Sequence, residues 1–222
     1  KTADESGLGE SPAAVSAAGA LLAYLRETQK FDLSHINRLE LIHGGRYMEL
    51  DWATRRSLEL TESLRSGDKK GSLLWVLDKT KTPMGGRMLR SWVERPLLSA
   101  LAIKRRLSAV EELYHDTVAR GELMGTLRAV GDMQRLVGRA VYGSAGGRDL
   151  HSLARCCEAL PKLRALTAHF KCAELRAIAE MDALEDVRYE IDRAICDDPP
   201  FSVREGGILR PGYSEEVDRL RN

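Results

Sequence analysis

Ser66 and Lys69 stand at the S-x-x-K spacing, in which one helical turn would carry the lysine amine to the serine hydroxyl and activate it as a nucleophile. Gly67 lies between them in the run SGDKKGS, so a surface loop is expected instead. Residues 143–149, GSAGGRD, place glycines before a helix, an arrangement whose backbone N–H groups cradle phosphate in some folds. They lack the lysine and hydroxyl of G-x-x-x-x-G-K-[ST], and no strand leads into them. The histidines, His35, His43, His115, His151 and His169, contain no H-x-x-x-H pair. Cys156, Cys157, Cys172 and Cys196 lack the two-residue gap of a zinc knuckle. Neighbours on a helix point about 100° apart, so Cys156 and Cys157 suit neither a disulfide nor a shared metal; reduced, buried thiols are expected. The carboxylates are scattered beside arginines on helix faces, where solvated ion pairs are their ordinary role. No catalytic, cofactor-binding or metal-ligating residue is assigned, and the chain is read as a helical scaffold rather than an enzyme.

The composition supports that reading. Of 222 residues, 43% are hydrophobic, enough for a core, and only 5% are aromatic, while helix formers dominate. The 34 basic residues are balanced by 33 acidic ones, which excludes the one-sided surplus of a dedicated nucleic-acid-binding domain. Lys104, Arg105 and Arg106 form a short basic run, read as a solvated helix face. Direct nucleic-acid binding through that run and the arginines around Arg135 would need a steep salt dependence to support it. No apolar run approaches the roughly 20 residues needed to span a bilayer, and no signal peptide is read, so a cytoplasmic location is expected.

Residues 12–30 repeat small and apolar residues at helical spacing, with Leu21, Leu22 and Leu25 the heaviest face. Leu39 and Leu41 alternate with polar residues, Gly44 and Gly45 make a tight turn, and Tyr47 to Leu50 returns; a small β-hairpin is expected. Asp51 should cap a helix running through WATRRSLELTESLR, and Ser72 a short one over LLWVL. Thr82 caps the next, with Pro83 at its first position and its end at Arg95-Pro96. Gly85 and Gly86 cost about 1 kcal/mol each relative to alanine in that helix, and the expected compensation is a close crossing with a second helix. Leu107, Val110, Leu113 and Tyr114 repeat at helical spacing, as do Leu123, Leu127 and Val130, and then Met133, Leu136, Val137 and Val141. Each such face needs a partner. Asp149 opens a further helix that Pro161 should kink or divide. The stretch from Cys196 to Tyr213 holds brief extended pieces at 201–204 and 208–210, and Ser214 caps a helix with Glu215 and Glu216 in its first turn. The chain starts at Lys1 and stops inside that helix, as a piece of something longer would.

Several of these stretches together resemble the core, or lever, region of the MutS mismatch-repair family: LDWATRRSLELT (50–61), LLWVLDKTKTPMGGRMLRSWVERPL (73–97), GDMQRLVGRA (131–140), RDLHSL (148–153) and REGGILRPGYSEEVDRLR (204–221). They follow the family's order over nearly the whole chain. The resemblance implies a mostly α, multi-helical core domain with a small β-hairpin near its N-terminal side. Residues 1–36 would close the connector region and form a linking helix, 37–213 the first part of the core, and 214–222 the start of the helix into the clamp. It also implies a non-catalytic module of a dimeric ATPase, linking mismatch-binding and clamp parts to the ATPase and relaying conformational change. The implied partners are mispaired double-stranded DNA held by other domains, a second MutS copy and MutL, with ATP and magnesium bound elsewhere in the polypeptide. The family's F-x-E wedge and Walker A motif are missing from these residues, so no site residue is carried over. Gln134 stands where the family carries a charge, and Gly146-Gly147 replaces a more helical approach to Arg148. The competing expectation is an autonomous helical scaffold that binds a protein partner.

Overall fold

The computed structural model describes residues 11–29, 36 and 45–221. It divides into two compact units, residues 1–46 and 47–222. In the first, Pro12 opens α1 (Pro12–Gln29), where proline's missing N–H is no loss. Leu22 and Leu25 are half-buried there and Leu21 is 56% exposed, so the apolar face is narrower than the sequence pattern.

The second unit is helical. Asp51 caps α2 (Trp52–Ser57), its carboxylate accepting from the Thr54 N–H at 2.6 Å. The expected helix to residue 65 stops after six residues, and Glu59 turns at φ 48°. The Glu59 and Leu60 carbonyls accept instead from the Leu73 and Leu74 N–H groups at 3.0 and 2.9 Å, which buries Leu60 against the start of α3 (Leu73–Leu77). Tertiary pairing thus overrides local propensity.

Next come α4 (Pro83–Glu94), capped by Thr82, and α5 (Ala100–His115), capped by Ser99. The expected β-hairpin is not found among the described residues, where no strand forms. Its first half, including Leu39, Leu41 and Gly44, lies outside them. Tyr47 instead makes an isolated antiparallel bridge with Leu97, and the Met48 N–H donates to the Pro96 carbonyl at 2.8 Å. Proline's lone carbonyl after α4 offers that acceptor, so the returning segment pairs with the helix exit.

The expected helix crossing at Gly85-Gly86 is also absent among the described residues. A Cβ on Gly85 would meet Thr82 and Thr80, and one on Gly86 would meet only Thr80 Oγ1 and Asp78 Oδ2, all in the loop before α4. The glycines let α4 fold back over its own lead-in.

Then follow α6 (Thr117–Leu127), α7 (Met133–Val141), α8 (Gly147–Glu158), α9 (Leu160–Thr167), α10 (Ala173–Ala179), α11 (Glu185–Ala194) and α12 (Glu215–Arg221). Pro161 divides α8 from α9, as expected, by sitting in the first turn of α9 where its missing N–H does no harm. The expected extended piece at 201–204 is a 3-10 turn over Val203–Glu205, while Leu209 is bridged to Ile195.

Two apolar clusters form the core. The larger holds Leu123, Cys156, Cys157, Leu160, Leu163 and Leu175 with their neighbours; the smaller holds Leu153, Ala154, Ile191, Ala194 and Ile195. Met133 and Leu136 pack against both clusters, so α7 bridges them. Helix α8 lies on α7 and α11, α9 on α6 and α10, and α10 on α5. The periodic face of α5 is split: Ala109 and Leu113 pack on the larger cluster, whereas Leu107, Val110 and Tyr114 are exposed.

Candidate functional site

Two charged clasps tie elements of the helix stack together. The first joins α4 to α7. Met84 packs on the larger cluster, and Arg87, one turn later, reaches Asp132, the residue that caps α7. Its two terminal nitrogens donate to the two carboxylate oxygens at 2.7 and 2.8 Å, and Nη2 also donates to Gln134 Oε1 at 2.8 Å. The fork geometry of guanidinium and carboxylate makes such pairs both strong and directional. Arg87, followed by the Arg135 N–H and charge, holds the Asp132 carboxyl down at about 2. The neutral Gln134 therefore costs the clasp no partner: it accepts a guanidinium hydrogen as a carboxylate would.

The second clasp straps residues 195–213 over the start of α8 and the end of α11. The Cys196 N–H donates to the Ile208 carbonyl at 2.9 Å and the Arg210 N–H to the Ala194 carbonyl at 2.8 Å. The Arg210 side chain holds the Asp192 carbonyl through Nε at 2.9 Å and the Asp197 carboxylate through both terminal nitrogens at 3.2 and 2.6 Å. Beyond it the Tyr213 hydroxyl donates to Glu190 on α11 at 2.7 Å, and Arg193 donates to the same carboxylate oxygen at 3.0 Å. Arg221 returns from α12 to the Leu209 carbonyl at 3.0 Å. The direction in which α12 leaves is thus set by α11 and the strap together.

Gly147 is where the strap lies closest. A Cβ there would fall 2.6 Å from Pro199 Cβ and 3.0 Å from Ile208 Cγ2. Arg148 Nε donates to the Pro199 carbonyl at 3.0 Å, and His151 Nε2 stands 2.7 Å from the Cys196 carbonyl. A carbonyl only accepts, so that ring nitrogen carries the proton. This arrangement does not fit a nucleotide phosphate. Asp149 takes the Gly146 N–H at 2.9 Å while pairing with Arg139 at 2.8 Å, and Pro199 covers Gly147.

The other residues considered for chemistry are dispersed. Ser66 contacts Ser63 Oγ at 3.2 Å, while Lys69 pairs with Asp78, so no serine–lysine couple forms. Lys69, ahead of Thr80, holds the Asp78 carboxyl at about 2. His169 meets Asp116 at 3.0 Å, and His115 stands edge-on to Tyr114. His35 and His43 lie outside the described residues. Cys156, Cys157 and Cys172 are buried, and burial pushes the thiols of Cys157 and Cys172 upward. In the basic run, the half-buried Arg106 stacks on the exposed Trp92, its guanidinium 3.5 Å from the ring centre. Among the described residues no group of three or more His, Cys, Asp or Glu could hold a metal, and no helix is long and apolar enough to cross a membrane.

The sequence signal for Asp132 as a helix cap was present, but nothing in spacing pointed across 45 positions to Arg87. The family model described as MutS domain III matches residues 53–221, from the second residue of α2 to the end of α12. The chain belongs to the MutS domain III family. It is 47% identical over 214 residues to the DNA mismatch repair protein MutS of Desulforamulus reducens, covering 96% of this chain and 25% of that protein. It is 48% identical over 223 residues to that of Symbiobacterium thermophilum, covering 99% and 26%. For Acetivibrio thermocellus MutS the identity is 49% over 210 residues, covering 94% and 24%. The chain thus spans about a quarter of the length of the curated relatives it matches. Both clasps lie inside the matched residues.

Proposed function

We propose that this chain is a non-catalytic lever within a DNA mismatch-repair protein, linking the parts that grip DNA to an ATPase and relaying conformational change between them. The observation that carries this reading is the series α4, α7, α8, α11 and strap, packed on two clusters that α7 bridges, with Arg87 tying α4 to the cap of α7 and Arg210 tying the strap to the Asp192 carbonyl of α11. Coupling between distant sites requires a physical element that both sites can bias. In this reading residues 1–36 end a connector region, 37–213 begin the core and 214–222 lead into a clamp. Mispaired duplex DNA, ATP and magnesium are bound by other parts of the polypeptide, a second MutS copy and MutL are the protein partners, and the compartment is the cytoplasm.

The test is to assay the isolated chain for ATP hydrolysis and for binding to matched and mispaired duplexes across a salt titration. The expected result is neither turnover nor discrimination. Mispair-specific binding or ATP turnover by the pure chain would overturn the reading.

A further inference from the structure

Helix α3 presents an unusual surface. Leu74 is buried at 3% exposure, whereas Leu73, Trp75, Val76 and Leu77 are exposed at 44%, 48%, 56% and 49%. At about 100° per residue, Leu73, Val76 and Leu77 form one stripe with Trp75 beside it. Apolar side chains exposed singly need no explanation, but a contiguous group rimmed by polar residues marks an interaction surface. The backbone beneath is held firmly: Ser72 is buried, donates to the Lys69 carbonyl at 2.7 Å and caps the helix by accepting from the Trp75 N–H at 3.2 Å.

The rim is basic. Lys69 and Lys70 precede the helix, Lys79 and Lys81 follow it, and all but the half-buried Lys81 are exposed. The ion pair of Lys69 with Asp78 ties the two lysine-bearing loops together and uses the nearest carboxylate. From Ser63 to Lys81 the only acidic residues are Asp68 and Asp78, against Arg65 and the four lysines, in a chain whose net charge is only +1.

We propose that α3 docks a polypeptide segment in which aliphatic side chains alternate with carboxylates. Lysines at the rim of an interface complement acidic groups, while an exposed tryptophan beside a leucine stripe is the type of anchor that protein interfaces bury. A nucleic-acid backbone would use the lysines and leave Leu73, Val76 and Leu77 in water. The segment belongs to the polypeptide that carries this module, of whose length in the relatives the chain spans only about a quarter. This step rests on the reading of the chain as one module of such a polypeptide.

The experiment treats the purified intact polypeptide with a carbodiimide, which condenses a lysine amine with a carboxylate in contact, and maps the joined peptides by mass spectrometry. Lys79 or Lys81 is expected to join Asp or Glu outside residues 47–221, and Val76→Asn, an exposed change that leaves the core intact, to reduce that yield severalfold. Joined peptides confined to residues 47–221, a yield indifferent to Val76→Asn, or protection of Lys79 and Lys81 from acetylation by duplex DNA alone would overturn the proposal. Mispair-dependent ATP turnover of the same preparation reports on the module reading separately, so a failed docking is distinguishable from a failed module.

Discussion

Gly147 gives the strap its sharpest test, because one methyl group distinguishes two opposing effects. Alanine in a helix is favoured over glycine by up to about 1 kcal/mol, and Gly147 opens α8 with a backbone that alanine tolerates. Space opposes it. The added Cβ would lie 2.6 Å from Pro199 Cβ and 3.0 Å from Ile208 Cγ2, a rigid ring and a β-branched side chain that have little room to give. Overpacking of that kind costs about 1–3 kcal/mol, so a net loss of about 1–2 kcal/mol is expected for Gly147→Ala. At this chain length that corresponds to a fall in melting temperature of roughly 2–8 °C. Gly138, inside α7, meets nothing within 4 Å, so Gly138→Ala should raise the melting temperature by a comparable propensity gain. Thermal unfolding of the two variants, followed by circular dichroism beside the parent, decides it. A Gly147→Ala chain as stable as the parent would refute the close approach of strap and helix.

Three further outcomes follow from the same contacts. Asp132 and Asp78 are held at about 2, below their ordinary 3.8, so their contribution is complete above that value and is lost as pH falls from 3.8 toward 2. Asp132→Asn should therefore flatten the acid limb of a plot of melting temperature against pH over that window, and an unchanged limb would count against the Arg87 pairing. Glu112 accepts from the Lys171 and Cys172 N–H groups at 2.9 and 3.0 Å; Glu112→Ala should cost about 1–3 kcal/mol and speed amide exchange at those two residues. In native protein a thiol-specific reagent should modify the part-exposed Cys196 first and reach Cys156, Cys157 and Cys172 only on unfolding, as measured by timed labelling and peptide mapping.

What the sequence made legible was local. Asp51, Ser72, Thr82 and Ser214 were readable as caps because a cap reaches only two or three residues forward. Pro161 was readable as a divider because its effect is written in its own ring. The shortening of α2 was not legible, since it depends on N–H groups of Leu73 and Leu74 that arrive from beyond a loop. The glycines show the same divide: the Gly85-Gly86 pair drew the expectation of a helix crossing, yet Gly147, in a stretch considered for phosphate, is the position a neighbouring segment covers. The basic run was read as a solvated helix face, yet Arg106 stacks on Trp92; neither that contact nor the link from Arg87 to Asp132 follows a sequence period.

Weakening a clasp in the intact MutS polypeptide and measuring ATP turnover with matched and mispaired duplex shows whether this stack relays a signal. Arg210→Met removes the guanidinium contacts to Asp192 and Asp197 without emptying the space along the side chain. Mispair affinity and turnover without DNA are expected to stay near those of the parent while the response of turnover to a mispair is lost. An undiminished response, in a variant whose melting curve shows that the strap has loosened, would contradict the relay.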